Sequence, residues 1–250
     1  MDISYSEHDL NLRNKLGINF YSKLALSLVC WRIYYIVTKK LSTSIFKKAT
    51  NDPKKLEQAY AQVLSITASL IALSITSLNH VPLFIENIKN PEKIFNRPLD
   101  PPGKFLMVTL FGYFLHDTIW CLTNGWHEIT NYCHHILSVS FAFGMLVFDN
   151  TAIETFIPVF CSEISTVPLN LRWFQRLFSG RSNFAMDILF MATFFLGRIV
   201  AASYVTYWLV ITEGPKMVRW SCYLMDGVNA FWFWKMIKML KRRSNQRKDD

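Results

Sequence analysis

Little in this chain is suited to tight turns, cross-links or metal cages. Glycine is sparse, 9 among 250 residues. The five cysteines (Cys30, Cys121, Cys133, Cys161, Cys222) are scattered, form no CxxC pair, and each lies in or beside an apolar run. That spacing excludes a disulfide framework and a cysteine-based zinc site, and leaves the thiols as small buried hydrophobes. Six histidines are too few for the repeated histidine-rich boxes of intramembrane di-iron enzymes, so no metal is expected. Charge is scarce and clustered, 18% of residues. There is no internal repeat and no low-complexity segment. A cleavable signal peptide is not expected either. The first sixteen residues are polar, and the first apolar run is followed by lysines rather than a small-residue cleavage site. That is the pattern of a retained signal anchor.

What is present is apolar. Hydrophobic residues make up 51% and aromatics 15%, arranged in long runs between charged loops, which is the membrane class. The net charge of +9 sits mostly in loops and the C-terminal tail. It reads as positive-inside topology and attraction to anionic lipid, not as nucleic-acid binding. The expected partners are therefore membrane lipids and the bilayer itself.

A membrane-crossing helix needs roughly 20 mostly apolar residues. Seven stretches qualify: Gly17–Val37, Ala59–Leu78, Phe105–Leu122, Tyr132–Phe148, Ala152–Leu171, Phe184–Ile211 and Arg219–Leu240. The fold class expected is an all-α multi-pass bundle. Ala59–Leu78 is rich in Ser, Thr and Ala, which lets helix backbones approach closely in lipid. Pro158 and Pro168 should kink the fifth span. The proline-rich NPEKIFNRPLDPP reads as a non-helical connector. With seven spans, one side of the membrane holds eight basic residues (Arg13, Lys15, Lys89, Lys93, Arg97, Lys104, Lys216, Arg219) and the other holds sixteen. Basic residues favour the cytosol, so the N-terminus is expected to be lumenal or outside and the C-terminus cytosolic. The closing RKDD then resembles a dibasic endoplasmic-reticulum retrieval signal.

The most informative stretch is Gly112–Trp173. It is apolar enough for lipid, yet holds His116, Asp117, His134, His135, Glu163, Asn170 and Arg172. Charged side chains at a helix centre cost roughly 2.5–3.5 kcal/mol on insertion scales, so they normally face a bundle interior or a cavity. Helical spacing puts Glu163, Thr166 and Asn170 on one face, His134 and His135 beside Ser138, and Asp226, Asn229 and Phe233 on one stripe. Short loops make the third, fourth and fifth spans expected neighbours, able to aim these faces at one interior. A neutral imidazole there is a good general base, and a nearby carboxylate orients it. His127-Glu128 reads as a solvated or interfacial pair, and Asp226 has Arg198 as a candidate ion-pair partner.

Three motifs carry a family resemblance: GYFLHDTI, NYCHHILSVSF and ExSTxxLNLRW. In this order they resemble the TLC-domain superfamily shared by ceramide synthases, translocating-chain-associated proteins and a ceroid-lipofuscinosis protein, and most of all its small TLC-domain-containing subfamily. The likeness covers about residues 57–245, leaving 1–56 as tail, first helix and basic loop, and 246–250 as tail end. It implies six helices around a cavity that accepts a lipid chain, with the first helix as an extra. Relative to ceramide synthases, His134-His135 stand where the double histidine is expected and Glu163 near the first aspartate. Ser162, Thr166 and Asn170 occupy the places of a further histidine, a later aspartate and a glutamate.

The expected activity is acyl transfer from acyl-CoA, as co-substrate, to a lipid amine or hydroxyl. His134 or His135 would be base or acyl acceptor, with Glu163 and Asp117 orienting it. His116, Thr166, Asn170, Arg172 and Asp226 would hold substrate, Arg172 meeting an anionic headgroup at the cytosolic rim. The alternative is non-catalytic: a lipid-binding regulator of membrane composition, or an endoplasmic-reticulum trafficking receptor with protein cargo or a second copy as partner. A seven-helix receptor fits the span count, but the helix ends show no E/DRY and the last span reads LMDGVNAFWFW rather than NPxxY.

Overall fold

Long runs without glycine or proline propagate as helix until a turn residue stops them. The computed structural model describes residues 18–90, 93–95, 97–126, 128–149, 152–181, 183–213 and 216–249, with backbone alone for 152, 154, 155 and 242–249. The described residues are helical almost throughout and contain no strand. In chain order they form α1 (Ile18–Phe46), α2 (Pro53–Asn79), α3 (Val81–Glu86), α4 (Pro101–Thr123), α5 (Ile129–Phe148), α6 (Ala152–Ser179) and α7 (Phe184–Phe194). A π-helical turn (Phe195–Ala201), α8 (Ala202–Ile211) and α9 (Lys216–Asp249) follow. The N-terminal tail, His127 and the side chains of the C-terminal dibasic sequence lie outside the described residues.

Local chemistry sets the helix ends. Asp52 accepts from Lys54 N at 2.9 Å ahead of Pro53. Asp100 accepts from Gly103 N at 2.8 Å ahead of Pro101. Asn183 accepts from Ala185 N at 2.9 Å. Each satisfies an orphan amide of the first turn, and proline at the first position loses nothing there. This is why α4 begins at Pro101, inside the stretch expected to be non-helical. Asp149 closes α5 at its C-terminal end with a left-handed backbone (φ 52°). The Asp149 carboxylate accepts from Leu99 N and Lys104 Nζ, both at 3.0 Å, fastening the end of α5 to the start of α4.

Among the described residues, four stretches are both long and apolar enough to cross a membrane: Pro53–Asn79, Pro101–Thr123, Ile129–Phe148 and Phe184–Ile211. The helices α1, α6 and α9 are long enough, at 29, 28 and 34 residues, but their charges dilute them. Lys39 and Lys40, expected in a loop, extend α1, and the basic tail extends α9 to Asp249. Pro158 and Pro168 sit inside α6, which runs through both as one helix.

The main pairings are α2 with α6, α4 with α5, α1 with α4, and α5 with α9. One expectation fails here. Despite their short connection, α5 and α6 are not among the closely packed pairs; α6 turns instead to α2 and to the α7–α8 segment. The space between α5 and α6 is a chamber. Around it, Leu106, Met107 and Leu110 of α4 pack on Met145 of α5, Phe156 of α6, Leu209 of α8 and Val218 of α9. Outside that core, α1 lies against α4 through Trp31, whose Nε1 donates to Thr109 O at 2.9 Å. Its other face exposes Leu26, Val29, Ile33 and Ile36, as suits contact with lipid tails. All five cysteines are free. Cys121 is buried, but Cys30 and Cys133 are exposed on outward faces, contrary to the expected burial.

Gly197 allows one close approach that no other residue could. A Cβ there would collide with the Cys161 carbonyl oxygen of α6, whereas one on Gly227 meets nothing within 4 Å. Gly197→Ala is therefore expected to destabilise by about 1–3 kcal/mol through overpacking. Gly227→Ala is expected to be neutral or slightly stabilising, since alanine is the better helix former. Thermal unfolding in detergent separates the two.

The connection between α2 and α3 carries a pH-sensitive group. His80 is buried, its ring 3.9 Å from that of Phe156 and its Nε2 3.2 Å from Asp100 Oδ1. Burial holds its pKa below the ordinary 6.5, outweighing Asp100, which acts the other way. Below pH 6.5 the unfolded chain takes up a proton that folded His80 resists, so stability falls as pH falls. Melting temperatures at pH 7.5 and 5.5 should diverge less in His80→Gln than in the unaltered protein.

Candidate functional site

Helical periodicity turns one face of each surrounding helix to the chamber. From α4 come Tyr113, Asp117 and Cys121, spaced four apart; from α5 come His134 and His135; from α6 come Glu163, Thr166 and Asn170. Gln58, Gln62 and Ser65 of α2, Arg198 of the π-helical turn, and Trp232 and Lys235 of α9 complete a cavity of about 410 Å³. A second compartment of about 90 Å³ adjoins it, walled largely by apolar side chains such as Met107, Leu110, Phe141 and Val159, with Asp226 and Asn229 among them. Phe114, His134, Glu163 and Arg198 line both. The space is thus amphipathic, polar at one end and apolar at the other.

The polar end reaches the surface near Trp126, Glu128 and Lys235. Lys235 Nζ lies 2.8 Å from Glu128 Oε1, and both side chains are about half exposed. The hydrogen bond from Lys235, helped by one from Thr130, holds the Glu128 carboxyl below its ordinary range against the opposing effect of burial.

Within the chamber, His135 Nε2 lies 3.2 Å from Asp117 Oδ2. A carboxylate there favours the tautomer with the proton on Nε2, leaving Nδ1 as the basic nitrogen. That Nδ1 is buried and has no hydrogen-bond partner among the described residues. The His134 ring stands edge-on to Phe114 and Trp232, with Nδ1 3.2 Å from the Met225 sulfur. Glu163 accepts from Ser69 Oγ rather than from a histidine. Asn170 donates to Ser65 Oγ at 3.0 Å and to Thr166 O at 2.9 Å, while its own Oδ1 is buried with no hydrogen-bond partner among the described residues. Asn229 Oδ1 is buried with no hydrogen-bond partner among the described residues as well. Such orphaned atoms cost free energy, and they suit an occupant that brings polar groups of its own.

Of the residues expected in one site, His134, His135, Asp117, Glu163, Thr166 and Asn170 line the larger cavity. Asp226 lines the apolar compartment and has Thr206 as its hydrogen-bonding neighbour rather than Arg198. His116 lies outside both linings. One step along α4 from Asp117 is 100° around the helix, and the buried His116 ring faces Tyr35 of α1, 5.5 Å away. Arg172 is also outside: its Nε is paired with Asp187 of α7, and its guanidinium lies over the Phe190 ring. Sequence reasoning left out Arg198, Ser65, Ser69 and Tyr113. The signal for Arg198 was visible, as the one charged residue between positions 188 and 212.

Asp117, Cys121 and His135 place one donor atom each within 4.8 Å of one another. Three such donors are the number a catalytic zinc site uses. A metal held by His135 Nε2 would displace the proton that Asp117 keeps there, so the two arrangements are mutually exclusive.

The family profile described as a TLC domain matches residues 54–238, from the start of α2 into the last part of α9. No solved structure matches this chain.

Proposed function

The chain belongs to the TLC-domain family, and on that premise we propose that it binds one amphipathic lipid in its internal chamber and transfers an acyl group from acyl-CoA to a lipid amine or hydroxyl. Its apolar helices and family fit an integral multi-pass membrane protein. In this reading α1, α2, α4, α5, α6, α7–α8 and α9 are the seven spans, with α1 outside the bundle that surrounds the chamber. The basic-residue asymmetry orients the N-terminus to the lumen and the C-terminus to the cytosol, in the endoplasmic reticulum. The chamber mouth at Trp126, Glu128 and Lys235 then opens to the cytosol, where acyl-CoA is made available.

The observation that carries the reading is the His135–Asp117 pair, 3.2 Å apart, inside a cavity of about 410 Å³. That volume is within the usual range for small-molecule sites, roughly 300–1,000 Å³. Asp117 orients the imidazole, and His135 Nδ1 takes the proton from the attacking amine or hydroxyl. The nucleophile forms its bond to the acyl carbonyl carbon, the carbon–sulfur bond breaks, and the CoA thiolate leaves with the proton. The apolar compartment receives part of a chain. No metal takes part, so turnover is expected to survive dialysis against a strong chelator.

Glu163 supports a second reading. It is engaged by Ser69, not by a histidine, which leaves the acid–base set short of one member. A non-catalytic lipid holder that regulates membrane composition, or a trafficking receptor with protein cargo or a second copy, needs no such set. Purified protein in nanodiscs, radiolabelled acyl-CoA and a panel of lipid amines and hydroxyls decide between them. Labelled product is expected. Lipid that co-purifies with the protein, with no product from any acceptor and no loss of function in a His134→Ala, His135→Ala double variant, would establish the second reading.

A further inference from the structure

The chamber holds a buried cation that has no ion-pair partner among the described residues. Arg198 is 7% exposed and lies near the middle of the apolar stretch Phe184–Ile211, where a charge is most costly. Its Nε donates to Ser165 Oγ at 2.9 Å, and one terminal nitrogen donates to Thr166 Oγ1 at 2.9 Å and to Ser162 O at 3.3 Å. All three acceptors are uncharged. Among the described residues no carboxylate is within ion-pair distance, 4.0 Å, of Arg198. The other terminal nitrogen makes no hydrogen bond to them.

The same bundle treats its other deeply buried arginine differently. Arg172 is equally buried and is paired with Asp187. A buried charge without a close counter-charge is unfavourable, so the arginine that lacks an ion pair is the one to explain. Its position is also specific. The guanidinium borders both compartments, on a π-helical turn, an insertion frequently found at functional sites. Gly197 brings that turn against the α6 backbone, and the Ser162, Ser165 and Thr166 contacts fix the fork in one orientation. Glu163, which borders both compartments as well, accepts from Ser69 and attracts Arg198 only from beyond ion-pair distance.

We propose that Arg198 anchors an anionic group, a phosphate or carboxylate, on the head of the amphiphile that occupies the chamber. Arginine suits this because its guanidinium stays charged and offers several donors in a plane that matches such anions. The proposal rests on the reading of the chamber as a lipid site but not on acyl transfer, and its test involves no turnover.

Native mass spectrometry of the detergent-solubilised full chain would compare dioctanoyl phosphatidic acid with dioctanoylglycerol, which has the same tails and no phosphate, and would use inorganic phosphate as competitor. The unaltered protein is expected to prefer the phosphate-bearing probe by about tenfold or more, the usual weight of a charge-assisted hydrogen bond. Arg198→Gln should lose that preference while keeping dioctanoylglycerol, and Arg198→Lys should keep part of it. Equal binding of the two probes by the unaltered protein would overturn the proposal, as would an undiminished preference in folded Arg198→Gln. Competition by inorganic phosphate at matched concentration would assign the site to free anion and overturn the headgroup. Binding of neither probe would remove the lipid-chamber reading together with this one. Retention of dioctanoylglycerol alone would remove only this one. If Arg198→Gln fails to fold, the comparison of probes on the unaltered protein still decides.

Discussion

Asp117→Asn is expected to lower kcat for acyl transfer by about 10²–10⁴-fold, the range of general-base catalysis, while KM for the lipid changes little. Asparagine preserves the shape of the side chain but can present an N–H to His135 Nε2. The imidazole proton then moves to Nδ1, and the nitrogen that must accept the substrate proton is no longer basic. His135→Ala should cost as much, and the two losses should not add, because both remove one unit. His116→Ala is the internal comparison, one residue away on α4 but turned toward Tyr35. It should leave kcat unchanged. Full turnover in both Asp117→Asn and His135→Ala would place the chemistry elsewhere.

Asp187→Asn should be among the most destabilising single changes in the bundle, by about 3–5 kcal/mol, because it leaves a buried arginine uncompensated. Asp187 is 3% exposed and its partner Arg172 is 7% exposed, so neither charge can be rescued by water. Arg176 lies 3.8 Å from the same carboxylate and would lose its counter-charge as well. The double change Arg172→Met, Asp187→Leu should recover much of the loss, since apolar replacement of a whole buried pair is often neutral. Thermal unfolding in detergent reads both. It also separates two roles for Arg172. A headgroup contact would show in lipid affinity with little effect on melting; a structural pair shows in melting first.

Much of the site was legible in one dimension because helices are periodic. Glu163, Thr166 and Asn170 share a face by spacing alone, and all three line the chamber. The same periodicity misled for His116-Asp117. Adjacent residues point about 100° apart around a helix, and nothing local said which of these two would look inward. Arg172 looked like a rim cation because its partner lies fifteen residues away on another helix. Arg198 was visible as an isolated charge, but its nearest carboxylate by sequence argument was Asp226, and its observed partners are the uncharged Ser162, Ser165 and Thr166.

The sequence by itself determined the helical class, the apolar stretches and the set of polar residues that had to be hidden from lipid. Those are consequences of composition, periodicity and short-range hydrogen bonding, all carried within a few residues. Only the tertiary structure decided that α6 packs on α2 and α7–α8 and stands apart from α5, so that the chamber opens between two helices expected to be neighbours. It likewise decided that Asp117 meets His135, that Glu163 meets Ser69, and that one buried arginine is paired while the other is not. Such pairings depend on which helix faces meet across the bundle, and helix–helix contact in lipid is set by close packing rather than by any signal along a single segment.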